Sequence, residues 1–99
     1  MYAVIFRART GQLDERYGEM VAQLRKLAFE RYGCLDFIAV TEGDQEITIS
    51  YWDNEDAIQR WKNDPEHALA QQHGRDGWYA GYTVQVVEVR REYSFGELG

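Results

Sequence analysis

Cysteine and proline each occur once in this 99-residue chain, and histidine only twice. A single thiol, Cys34, forms no disulfide within the chain and completes no metal-binding pair. One proline and an ordinary 44% share of apolar residues exclude a fibrous or low-complexity chain. Apolar runs are short: none approaches the roughly eighteen residues that a membrane-spanning helix requires. The opening Met1-Tyr2-Ala3-Val4-Ile5-Phe6 has neither a basic segment before it nor a small-residue cleavage site, so no secretory leader and a cytoplasmic location are expected. Basic residues are also scarce, 11 Lys and Arg against 17 Asp and Glu for a net charge of −6. Such a surface repels phosphate backbones, and the Arg90-Arg91 pair is too small to offset that. No nucleic-acid partner is expected.

What is abundant is aromatic. Phe, Trp and Tyr make up 14% of the chain, and the stretch Trp61 to Tyr79 holds both histidines and two of the three tryptophans. Rings at this density either pack a small core or line a pocket. The patterning places them on one domain, residues 1–99. Tyr2 to Arg9 alternates as a strand. Leu13, Tyr17, Met20, Val21, Leu24, Leu27 and Ala28 recur every three or four residues, a long amphipathic helix with Asp14 and Glu15 in its first turn and Gly33 after its end. Cys34 to Thr41 and Gln45 to Trp52 form a hairpin around Glu42-Gly43-Asp44. Asn54 caps a second helix containing Ala57, Ile58 and Trp61, with Asp56 as a capping-box variant. Pro65 breaks that helix and starts another piece through His73, closed by Gly74. Tyr82 to Tyr93 is the last strand, and its apolar phase slips between Val86 and Val87, which marks a bulge or burial on both faces.

The order βαββαβ predicts an α+β fold, a ferredoxin-like plait with one antiparallel sheet. Helices cover only one face of such a sheet. Val4 and Phe6 oppose Ala3 and Ile5, and Val84 and Val86 oppose Val87 and Val89, so both faces are apolar. An open face of this kind is unfavourable in water, and a homodimer packed sheet against sheet is expected.

Helix geometry sorts the two histidines. His67 and Gln71 are four apart and share a face, which Gly74 extends with open space beside it. His73 lies roughly 240° round from His67 and points elsewhere. The pair therefore lacks the i,i+4 spacing common in zinc sites, and no bound metal is expected. His67, with an ordinary pKa near 6.5, can accept a phenolic proton at neutral pH; it can equally be a helix histidine bonded to a carboxylate or carbonyl.

Four segments, "YAVIFRAR", "GCLDF", "ISYWDNEDAIQRWK" and "DPEHALAQQHGR..WY..Y.V.V..V.R.Y", resemble the antibiotic biosynthesis monooxygenase superfamily of dimeric α+β-barrel proteins. The resemblance covers essentially the whole chain. It implies a homodimer whose sheets form a joint barrel, with a pocket in each subunit between sheet and helices. Members of this family variously oxidise phenolic rings to quinones without metal or flavin, degrade heme, isomerise or cyclise rings, or have no known activity.

Against the heme-degrading members, Trp61 stands where they carry a pocket tryptophan. Gln71 replaces their heme-ligating histidine, and Phe6-Arg7-Ala8 stands where they have an asparagine. Heme binding is then left to His67 alone. Against the quinone-forming members, the resemblance implies pocket roles for Trp61, for Tyr51 or Tyr79, and for Arg75. Arg75 would stabilise a phenolate or peroxide anion, or else be a solvated helix-end charge; Trp61 would shape the pocket or anchor the core. Trp52, Trp78 and Tyr82 are read as core or dimer contacts, and Cys34 as a buried filler. The resulting expectation is a cofactor-free monooxygenase acting on a small aromatic or quinol substrate. His67 and Arg75 would be catalytic, and Trp61, Tyr51, Gln71 and Tyr79 would bind substrate. A non-catalytic dimer that binds an aromatic ligand, and a heme-binding protein that uses His67, are the alternatives.

Overall fold

The computed structural model describes residues 1–98; Gly99, the end of the expected domain, lies outside them. Strand β1 (Tyr2–Thr10) leads to helix α1 (Arg16–Tyr32), the hairpin β2 (Asp36–Glu42) and β3 (Gln45–Trp52), helices α2 (Glu55–Lys62) and α3 (Pro65–His73), and β4 (Tyr79–Glu88). The sheet runs β2-β3-β1-β4, antiparallel throughout. This is the expected α+β, ferredoxin-like arrangement.

Local chemistry sets most boundaries. Gly33 closes α1 in the left-handed conformation, φ 78°, where a Cβ would be strained. The backbone N–H of Cys34 returns to the Ala28 carbonyl, so Cys34 belongs to the helix terminus and β2 starts only at Asp36. Cys34 is buried, as read, and its thiol donates to the Asp36 carbonyl. Asn54 caps α2 by accepting from the Ala57 N–H at 2.8 Å. Asp56 makes no capping box; its carboxylate pairs instead with Arg60 one turn on. Helix α1 begins later than its apolar spacing suggests. Leu13 is exposed, and Asp14 sits before the helix, accepting from both the backbone N–H and the guanidinium of Arg16 at 2.9 Å.

The bounds of β4 differ from expectation, and its register decides between the two readings of the Val86–Val87 slip. It spans Tyr79–Glu88, earlier than Tyr82 to Tyr93, and it has no bulge between Val86 and Val87. Its register with β1 is unbroken from Tyr2↔Glu88 to Arg9↔Gly81; the shift falls between Arg9 and Thr10. Val86 and Val87 are both apolar because they serve opposite faces of the sheet.

The helix-side face carries Val4 of β1, Phe37 of β2 and Trp52 of β3, packed with Leu27, Ala28, Ala57, Ile58 and Trp61 into the core. Trp52 is fully buried, and its indole N–H donates to Ser50 Oγ at 2.9 Å, so burial leaves that donor satisfied. The opposite face lines up Ile5, Ile49 and Ile38 across three strands, with Val40 and Val87 in the same phase. Among the described residues no helix covers it, and Ile38, Val40 and Val87 are 44%, 55% and 37% exposed.

Candidate active site between the sheet and α3

A cavity of about 510 Å³ opens between the helix-side face and α1, α2 and α3. Its sheet wall is Val4 and Phe6 of β1 with Tyr82, Val84 and Val86 of β4. These meet because antiparallel pairing sets Val4 opposite Val86, Phe6 opposite Val84 and Ala8 opposite Tyr82. Met20, Val21 and Leu24 of α1 close a second side, and Trp61 a third. One face of α3, built from His67, Ala70, Gln71 and Gly74, completes the enclosure. The size suits a drug-sized or smaller ligand, and the walls are mostly apolar.

Helix α3 is held at its start by Asp64. That buried carboxylate accepts from the Glu66 N–H at 2.9 Å and from the Tyr32 hydroxyl at 2.6 Å. Tyr32, with the Glu66 N–H and the nearby Arg31, holds its pKa below the usual carboxylate value. The end of α1 is thereby tied to the N-cap of α3, three residues before His67. The His67 ring stands edge-on to Trp61, centroids 4.4 Å apart. Its Nδ1 is shielded from solvent and has no hydrogen-bond partner. Burial pushes the His67 pKa below 6.5; its own backbone and Asp64 oppose that shift, while the charge of Lys62 adds to it. Near neutral pH the ring is a free base.

Trp61 combines the two roles open to it in the sequence. Its indole N–H donates to the Leu24 carbonyl at 3.1 Å and its ring lies 5.2 Å from Trp52, yet it also forms cavity wall beside His67. Gln71, Arg75 and Tyr79 border the same cavity. Tyr51 does not. Alternation along β3 sends Ser50 and Trp52 to the helix side, so Tyr51 projects from the opposite face, beside Ala3 and Asp36. Its assignment to the pocket is corrected on that ground.

Gly74 also differs from expectation. It is right-handed, φ −59°, and the helix runs on into one wide turn, Gly74–Trp78, in which the Tyr79 N–H reaches the Gly74 carbonyl. The space beside it is filled. A Cβ there would lie 2.9 Å from Cδ2 of Tyr79. Tyr79 in turn packs edge-on to Phe6 at 5.3 Å and donates its hydroxyl to Tyr17 at 3.1 Å. Burial and that bond raise its pKa, so the phenol stays protonated.

Reading by helix face alone missed Tyr82, Trp78 and Lys62, which also line the cavity. The available signal was β4's even phase, Tyr82-Val84-Val86, which continues that of Val4 and Phe6. His73 is absent from the lining and stacks on Trp78 at 4.8 Å. Among the described residues, no group of three His, Cys, Asp or Glu side chains is placed to hold a metal ion, and no helix is long and apolar enough to cross a membrane.

Solved structures share this architecture at low identity. SnoaB, a cofactor-independent oxygenase from Streptomyces nogalater, superposes with a TM-score of 0.75 at 14% identity, over 92% of this chain and 94% of its own. Rv0793 from Mycobacterium tuberculosis gives 0.75 at 11%, over 95% and 100%. Sequence relatives are nearer. The uncharacterized protein YqjZ of Bacillus subtilis (strain 168) is 41% identical over 97% of this chain and 85% of its own length. A jasmonate monooxygenase of Pyricularia oryzae is 30% identical over 99% of this chain, which spans 47% of that fungal protein. The family model described as antibiotic biosynthesis monooxygenase matches residues 1–73, taking in β1 through α3 and three walls of the cavity, and the chain belongs to that family.

Proposed function

We propose that the chain is a monooxygenase that oxidises a small aromatic or quinol substrate in this cavity, without flavin or bound metal, using His67 as base. The carrying observation is the position of His67, a cavity-lining histidine held edge-on to Trp61 and kept neutral by burial. His67 takes the phenolic proton. The phenolate donates one electron to molecular oxygen, the radical pair joins as a ring peroxide, and the protonated His67 returns its proton to give the hydroperoxide. Loss of water then leaves a quinone carbonyl: one oxygen atom enters the ring and the other leaves as water.

Trp61, Gln71 and Tyr79 shape and orient the ring. Lys62, whose charge acts on His67, is the cation that stabilises the phenolate. Arg75 follows His67 by eight residues, roughly 12 Å of helical rise, and sits too far along the wall to be the first choice for that role. Two relatives support the class of reaction. One nearer in sequence is a jasmonate monooxygenase, and one that shares the fold is a cofactor-independent oxygenase.

The heme alternative is disfavoured. Gln71 lines the cavity on His67's own face but offers an amide in place of an imidazole, so ligation would fall to His67 alone, with Trp61 against its ring. The exposed apolar face of Ile38, Val40 and Val87 supports a second copy packed sheet to sheet; a monomer at micromolar concentration in sedimentation overturns that assembly.

The test is oxygen uptake with a panel of quinols and phenols in metal-free buffer. Turnover lost in His67→Ala is expected. Undiminished uptake by that variant overturns the base assignment, and saturable binding with no uptake by the parent chain leaves a ligand-binding dimer instead. A hemin titration that saturates at one per chain and is abolished in His67→Ala establishes the heme reading.

A further inference from the structure

The chain carries six more acidic than basic residues, yet no aspartate or glutamate lines the cavity among the described residues. The ionic residues that do are Lys62 and Arg75, both exposed and therefore at its mouth. Neither is in an ion pair among the described residues. The carboxylate beside Arg75 in sequence, Asp76, is held by the Gln72 amide at 3.0 and 3.1 Å. Arg75 thus presents an uncommitted guanidinium to a mostly apolar cavity that holds no carboxylate among the described residues. A guanidinium offers paired N–H donors that match a carboxylate in a two-point fork.

Resting on the cavity reading above, we propose that the substrate is a hydroxylated aromatic acid. Its hydroxyl would lie at His67 and its carboxylate on Arg75 at the opposite end of α3. From His67 to Gly74 the wall rises roughly 10 Å, which a molecule of about two fused rings spans. The two cations then divide the work. Lys62 stands near the reacting end and Arg75 selects for a charged tail, while the apolar walls between them hold the ring body. Arg75 is in this sense a specificity residue, touching substrate away from the atom that reacts.

Calorimetric titration with 6-hydroxy-2-naphthoate and with its methyl ester tests this directly, because the two probes share rings and hydroxyl and differ in charge. The acid is expected to bind about tenfold tighter or more at low salt. That preference should shrink as salt rises, vanish in Arg75→Gln with the ester's affinity unchanged, and persist in Lys62→Gln. Equal binding of acid and ester overturns the inference and leaves the cavity reading standing. A preference that falls as much in Lys62→Gln as in Arg75→Gln overturns the assignment to Arg75. Binding of neither probe overturns the cavity reading beneath it. Arg75 and Lys62 are exposed, so both variants retain the fold, and an unchanged near-UV dichroism spectrum checks that they do.

Discussion

The ring of Tyr79 occupies the space that a side chain at Gly74 would need. An added Cβ would meet Cδ2 at 2.9 Å and Cε2 at 3.2 Å, and the ring is restrained by Phe6, Tyr82 and the Tyr17 hydroxyl. Overpacking of this kind costs about 1–3 kcal/mol. Gly74→Ala is therefore expected to lower stability by that amount in urea denaturation. Adding Tyr79→Ala should make the pair less costly than the sum of the single changes. Strict additivity would show that the two residues do not compete for the space.

Trp61 serves core and cavity together, so its variants separate the two roles. Trp61→Ala is expected to cost about 3–5 kcal/mol. Trp61→Phe keeps a ring against His67 but loses the N–H bond to the Leu24 carbonyl, at about 1–2 kcal/mol. Equilibrium denaturation measures both. An alanine variant within 1 kcal/mol of the parent, a bound set by the same cavity scale, would remove Trp61 from the core.

Stability should depend on pH through His67. Folding lowers its pKa, so the unfolded chain binds the proton more readily than the native one. Stability is then full above the unfolded value near 6.5, declines as pH falls below it, and stops declining once the lowered native pKa is passed. Urea midpoints measured from pH 8 to pH 5 should show this acid-side loss, and His67→Gln should flatten it. For the reaction, the same lowering keeps the base unprotonated below pH 6.5, so the acid limb of kcat/KM is expected under that value.

Asp64 is expected to matter to stability through its bonds at the start of α3. Asp64→Ala removes the α3 cap, a loss of about 1–2 kcal/mol, and frees the Tyr32 hydroxyl bonded at 2.6 Å. Tyr32→Phe in the Asp64→Ala background should have little further effect. Full additivity of the two changes in thermal denaturation would show that the bond contributes nothing.

Local rules were enough for much of this molecule. The apolar spacing of α1, Gly33 after it, the Gly43 hairpin, Asn54 as cap and Pro65 as break are interactions within a few residues, so they are legible along the chain. The βαββαβ order followed from them, and so did the shared face of His67 and Gln71. Other features came only with the folded chain. Which way Tyr51 points depends on the register between β1 and β3. The partner of Gly74's missing side chain is a tyrosine brought back by the wide turn. The isolation of His67 Nδ1, the freedom of Arg75 and the placing of Tyr82 in the cavity all depend on distances between elements far apart in sequence. Periodicity tells which residues share a face; only packing decides what that face meets, what is left without a partner, and where a cavity remains.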